Sequence, residues 1–184
     1  MVLGFSEKLR AAFAPPRYLT LPLSGIDLST SGVKAVRLVE GSEGLILDRY
    51  AEARLPAGAF TDGDIIDRTA VVEGIATAAH AAGISTANAA LPESKSYLFE
   101  TAVPGANMTE WRTAIEQHLD EFVPLPPPET AFDFITVGQD MKGNALIVGI
   151  GFARRIVDDT LSVFDQAGIS VRALGEETFA MAHA

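Results

Sequence analysis

The chain has 184 residues, 48% hydrophobic and 21% charged, enough for one or two domains with a buried core. Fourteen basic against twenty-four acidic residues give a formal charge of −10, which argues against a nucleic-acid partner because phosphate neutralisation needs clustered Lys and Arg. No cysteine is present, so disulfides and thiolate metal sites are excluded, and His80, His118 and His183 lie too far apart for metal-ligand spacing.

In chain order, residues 1–18 form a leader. Leu3, Phe5, Leu9 and Phe13 recur on one face of a short helix, with Lys8, Arg10 and Arg17 beside them, until Pro15 and Pro16 end it. Two readings stay open: a helix that lies on a membrane or docks a partner, and a frayed leader. Signal-peptide architecture is missing, which with the lack of disulfides fits a reducing cytosol.

Residues 21–28 and 33–39 read as strands joined by the short turn 29–32, and 45–55 as a third strand reached through Gly41-Ser42-Glu43-Gly44. Asp67 is an N-cap candidate for an amphipathic helix carrying Ala70, Val71, Ile75, Ala78 and Ala79, which Gly83 closes. Residues 88–91 form a short strand that stops at Pro92. A second pattern follows. Residues 97–103 alternate as a strand up to Pro104, and Asn107 or Thr109 caps a helix with Trp111, Ile115, Leu119 and Phe122. Pro124 ends that helix, and residues 124–128 are a rigid connector rather than a ligand for a polyproline-binding partner. Residues 132–137 and 145–152 are strands on either side of a turn at 139–144. The run 144–153 is strand-length and broken by glycines, well short of the roughly 18–20 apolar residues a membrane-spanning helix needs. Ile156, Leu161, Val163 and Phe164 line a further helix stopped by Gly168, 171–174 is a strand, and 177–184 opens a last helix.

The order is βββαβ, then βαββα, then β leading into α, which predicts an α/β sheet layered with helices. Residues 95–171 read as a compact insertion, after which the last strand and helix rejoin the first sheet. Trp111 belongs to a core. Asp158 and Asp159 sit in early helical turns, where acids are favoured without any metal.

The stretch GIDLSTSGVK, residues 25–34, carries the chemistry. A hairpin that holds phosphate oxygens needs small residues, hydroxyl donors and a nearby cation. Ser29, Thr30, Ser31 and Gly32 supply the first two and Lys34 the third. Asp27 ends the first strand where a carboxylate could hold magnesium through its water shell. A plain Ser/Gly hairpin with a solvated lysine accounts for the same ten residues. The stretch is neither a Walker loop nor a dinucleotide fingerprint, because no helix follows it.

Strand, polar turn, strand, third strand and helix together resemble the actin-like ATPase superfamily, and more closely the N-terminal lobe of PilM-type type IV pilus assembly proteins, related to FtsA. Four stretches carry the resemblance: GIDLSTSGVKAVRL, GDIIDRTAVVEGI, EFVPLPPPE and ALGEETFAMAHA. It implies an actin-like (ribonuclease H-like) first subdomain formed by 19–94 plus 172–184, with a small βαββα subdomain inserted at 95–171. It further implies a cytoplasmic, nucleotide-linked adaptor at the inner face of the cytoplasmic membrane. The adaptor would bind the cytoplasmic N-terminal segment of an inner-membrane PilN-like partner, in a groove between the two subdomains, and meet other pilus components. Membrane association would come through that partner. The phosphate-binding residues would be Ser29, Thr30, Ser31, Gly32 and Lys34, with ATP and magnesium as cofactors and Asp27 as the water-mediated magnesium holder.

Glu177 aligns with the acid or amide that orients an attacking water in bacterial actins; a first-turn carboxylate that merely suits a helix N-terminus is the other reading. Departures from the family pattern are Ser29 in place of glycine and Thr178 in place of proline. The second phosphate loop and the adenosine-binding glycines are not found, and the resemblance places both beyond Ala184. The implied activity is at most a weak ATPase, and this chain alone would hold ATP poorly. Two alternatives remain: an ATPase or small-molecule kinase of the same superfamily, and an FtsA-like division scaffold.

Overall fold

A computed structural model describes residues 23–41 and 44–176. Five strands form the first sheet: β1 (Leu23–Ser29), β2 (Gly32–Gly41), β3 (Gly44–Ala53), β6 (Thr86–Leu91) and β10 (Ser170–Glu176), in the order β10-β6-β1-β2-β3. The first three make an antiparallel meander, whereas β6 runs parallel to both β1 and β10. Parallel neighbours need a crossover; α1 (Arg68–Ala82) lies on the one from β1 to β6, and the second sheet lies on the one from β6 to β10. Asp67 caps this helix by accepting the Ala70 N–H at 3.0 Å, and Gly83 closes it at φ 65°. Val71, Ile75, Ala78, Ala79 and Ala82 are fully withdrawn from water and pack with Ile26, Val33 and Ala35 of the sheet.

Between β3 and α1 lies a two-stranded hairpin, β4 (Phe60–Thr61) and β5 (Asp64–Ile65), which is not among the expected elements. Its signal is the dipeptide Asp62-Gly63, whose φ values of 50° and 81° suit a tight antiparallel turn. Asp64 accepts from Lys95 Nζ at 2.7 Å and from Arg155 at 3.3 Å, which ties the hairpin to distant parts of the chain.

The second sheet comprises β7 (Ser96–Val103), β8 (Thr130–Gln139) and β9 (Ala145–Ala153), with β9 central and every pairing antiparallel. One face is covered by α2 (Met108–Gln117) and α3 (Leu119–Phe122). Asn107, not Thr109, is the N-cap, accepting the N–H groups of Thr109 and Glu110 at 3.1 Å. The expected continuous helix is interrupted where His118 leaves helical geometry at φ −123°. Ile115, Leu119 and Val123 meet Phe99, Phe134 and Ile147 in this core. Trp111 packs against it as expected, its indole N–H donating to the Gly105 carbonyl at 3.0 Å. Gly149 is required here, because a Cβ would lie 2.2 Å from the Phe99 ring, which stacks on Phe122 at 4.7 Å.

Helix α4 (Arg154–Gln166) departs from the sequence reading in two ways. Its buried stripe is Ile156, Thr160, Val163 and Phe164, while Leu161 is 40% exposed because it falls off the line that 3.6 residues per turn draws from Ile156. The sequence grouping places this helix in the inserted unit, residues 95–171. Its packing places it with the first sheet, where Val163 and Phe164 share a core with Ile75 and Ala89. Arg68 of α1 bonds Ser162 at 2.5 Å and pairs with Asp159 at 3.4 Å. Strand β10 rejoins the first sheet as expected, with a register shift between Val171 and Ala173. Leu91, Phe152 and Ile156 fill the junction between the two units. The leader 1–18 and the predicted last helix lie outside the described residues.

Candidate functional site

Pairing of Ser29 with Gly32 leaves Thr30 and Ser31 as an exposed two-residue turn between β1 and β2. The Ser29 hydroxyl lies 3.0 Å from the Ser31 hydroxyl and donates to the Gly32 carbonyl at 3.1 Å, so the turn is held by its own side chains. Gly32 has φ 144°, and a Cβ there would stand 2.4 Å from the Ala53 carbonyl oxygen. Glycine at 32 is what lets the end of β3 pass directly over the turn.

Asp27 and Lys34 are direct cross-strand partners. Ile26 and Leu28 pack into the helix-covered core, so strand alternation puts Asp27 on the opposite face of the sheet. Asp27 is half-buried and Lys34 exposed. Burial pushes the Asp27 carboxyl above its ordinary value, and the Lys34 charge opposes that rise. Among the described residues no cluster of three or more His, Cys, Asp or Glu is placed to hold a metal ion. Asp27 instead shares its row of the sheet with Lys34 and, across from that lysine on β3, Glu52; a carboxylate outside any metal cage suits a hydrated magnesium ion better than a directly caged one.

The chain direction adds a second feature. The carboxyl ends of β1, β6 and β10 point the same way, with Ile26 level with Ala89 and Glu176 level with Leu91. In open α/β sheets ligands settle outside such carboxyl ends. Glu176 is buried at the end of β10. Glu177, the candidate water-orienting residue, follows it directly and lies outside the described residues. The structure thus brings Asp27, Ser29, Thr30, Ser31, Gly32 and Lys34 into one hairpin. The exposed hydroxyls of Thr30 and Ser31 and the exposed Lys34 ammonium are donors that fit phosphate oxygens, and the Asp27 carboxylate fits an accompanying hydrated magnesium ion.

The other residues singled out in the sequence fall elsewhere. Asp159 pairs with Arg68 on the surface of α4, and residues 124–128 connect α3 to β8 with a 3-10 turn at Pro127–Glu129. Among the described residues no helix is long and apolar enough to cross a membrane.

A family model described as type IV pilus assembly protein PilM matches residues 25–184. Among solved structures, the PilM–PilN type IV pilus biogenesis complex superposes with a TM-score of 0.77 at 20% identity, covering 91% of this chain and 50% of that one. The cytoplasmic domain of EpsL, an inner membrane component of the type II secretion system of Vibrio cholerae, superposes with a TM-score of 0.58 at 13% identity, over 87% of this chain and 59% of that one. These likenesses show the fold: an α/β lobe with a five-stranded mixed sheet and a smaller three-stranded unit between its strands. The chain spans about half the length of the first of these structures. No curated protein matches it.

Proposed function

Since the chain belongs to the PilM family of type IV pilus assembly proteins, we propose that it is a cytoplasmic adaptor that binds the N-terminal cytoplasmic segment of an inner-membrane PilN-like protein. The observation that carries this reading is the likeness of the whole described fold to a lobe of the PilM–PilN complex. The adaptor works at the inner face of the membrane, which it reaches through its partner. The EpsL likeness supports the same role in a related secretion assembly.

The adaptor is linked to nucleotide. The exposed Lys34 and the hydroxyls of the β1–β2 turn would hold ATP phosphate oxygens, and Asp27 would hold magnesium through water. Bound nucleotide supplies a charge on which two states of the protein can differ, and partner affinity follows whichever state the nucleotide favours. Hydrolysis, with Glu177 orienting water, is at most slow.

Two measurements test the two halves of this reading. A labelled peptide of the partner's cytoplasmic N-terminal segment is titrated with the chain; failure to bind removes the adaptor role. ATP affinity is then compared between the full-length protein and its Lys34→Ala variant, where loss of a charge-assisted phosphate contact of about 1.5–3 kcal/mol predicts roughly ten- to hundredfold weaker binding. Unchanged affinity would mean that the hairpin does not touch phosphate.

A further inference from the structure

The chain passes between the two units twice, and one carboxylate holds both passages. Outward it runs from Leu91 at the end of β6 through the turn Glu93–Lys95 into β7. It returns where β9 ends at Ala153 and α4 begins at Arg154. The passages lie side by side, because Ser96 is paired with Phe152. Asp64 accepts from Lys95 Nζ at 2.7 Å on the first passage and from Arg155 Nη1 at 3.3 Å on the second. These partners are 31 and 91 positions away in the chain, so only the assembled fold brings the three together. The hairpin that carries Asp64 is fixed to the first unit. Phe60 is buried in the first core, Ile65 packs against it, and the Ala59 carbonyl accepts the N–H groups of Ile66 and Asp67 at 2.9 and 3.0 Å. At the turn, Gly63 lies against the outward passage: a Cβ there would stand 2.7 Å from Pro92 Cγ and 2.9 Å from Lys95 Cγ. The hairpin therefore meets the outward passage by packing and both passages by charge.

The apolar contact at the junction is small. Leu91, Phe152 and Ile156 are its buried residues, and each lies within two positions of a passage. Arg154 adds bonds to the carbonyls of Pro128 and Thr130 at 3.0 and 2.8 Å, but it too sits on the return passage. Units of one chain that do not share a large apolar interface move relative to each other by default, and the few residues at element ends that absorb such a motion are its hinge. Residues 92–95 and 153–154 are such positions. Contacts close to the hinge tolerate rotation, whereas a side chain reaching in from a third segment and gripping both passages resists it. The grip is also releasable. The Lys95, Asp64 and Arg155 side chains are 26%, 34% and 66% exposed, so salt and water compete for the pairs in a way they cannot for buried ones.

We propose that the β4–β5 hairpin is a latch between the two units, with Asp64 as its pin: held by Lys95 and Arg155 it fixes the angle between the sheets, and released it lets the second unit turn about residues 92–95 and 153–154. The latch is a property of the fold and does not depend on the adaptor reading. The test uses the full 184-residue chain, which has no cysteine, so spin labels go only where cysteines are introduced. Thr77→Cys on α1 and Glu116→Cys on α2 place one label on each unit at exposed positions. Pulsed electron spin resonance reads the distance between them with the native Asp64, with Asp64→Ala and with Asp133→Ala. The last is the control, because Asp133 pairs with Arg112 at 3.0 Å inside the second unit. Melting temperatures are measured alongside, and both substitutions, at partly or fully exposed aspartates, leave the chain folded. The expected result is one narrow distance distribution with the native Asp64, broadened or displaced by Asp64→Ala and by added salt, and unchanged by Asp133→Ala. Salt has no further effect once Asp64→Ala has removed the pin. A native distribution that ignores salt, or one that Asp64→Ala leaves as it was, would overturn the latch. Equal broadening by Asp133→Ala would overturn it too, since loss of any surface ion pair would then suffice.

Discussion

Gly32→Ala is the sharpest perturbation of the β1–β2 hairpin. The residue sits at φ 144°, where L side chains are strained, and the new Cβ would lie 2.4 Å from the Ala53 carbonyl oxygen and 3.1 Å from the Arg54 Cα. Ordinary contact begins near 3.4 Å, so the end of β3 must retreat by about an ångström or the turn must rotate out. Backbone strain of this kind costs about 1–3 kcal/mol, and forcing backbone apart in a packed region costs a further ~1–3 kcal/mol. A total of about 3 kcal/mol lowers the melting temperature of a chain of this size by roughly 6–12 °C. Thermal unfolding followed by circular dichroism measures it, with Ser31→Ala as the control because Ser31 is exposed in the same turn. A Gly32→Ala protein melting with wild type would refute the idea that β3 clamps the turn. The clamp is also what separates this variant from Lys34→Ala, which removes an exposed ammonium and leaves the fold intact.

Three further outcomes are expected. Asp27 is held above its ordinary value by burial; the stability this contributes is present below the unfolded carboxylate range and is lost as pH rises through the folded value, so Asp27→Asn melts higher than wild type at neutral pH and alike near pH ~3. Hydrogen bonds from Lys95, and then Arg155, hold Asp64 below its ordinary value. That contribution is present above the unfolded range and lost as pH falls through the folded value, so Asp64→Asn flattens the acid limb of the stability profile, by no more than about 1 kcal/mol for groups this exposed. Phe164 is fully buried where α4 meets the first core, and Phe164→Ala destabilises by about 3–5 kcal/mol in denaturant titration; a loss under 1 kcal/mol would return α4 to the inserted unit.

What the sequence determined by itself is local. The bounds of α1 are legible because Asp67 bonds a group three residues away and Gly83 supplies the left-handed turn. The cap of α2 is settled to within two residues by Asn107, and the β1–β2 hairpin is visible because its hydroxyls and glycine fall within one turn of chain between two apolar runs. The α/β class and the return of β10 to the first sheet are legible too, through the order of elements. The allegiance of α4 is different. Arg68 and Ser162 are separated by 94 positions, and nothing in the amphipathic pattern of residues 154–166 says which core its buried stripe will meet. The same holds for β9. An apolar run of strand length marks a strand buried on both faces as readily as one with an open face, and only the placement of α2 and α3 on one side decides which face is left bare. Local hydrogen bonding fixes where elements start and stop; burial, a property of the assembled chain, decides what each face is for.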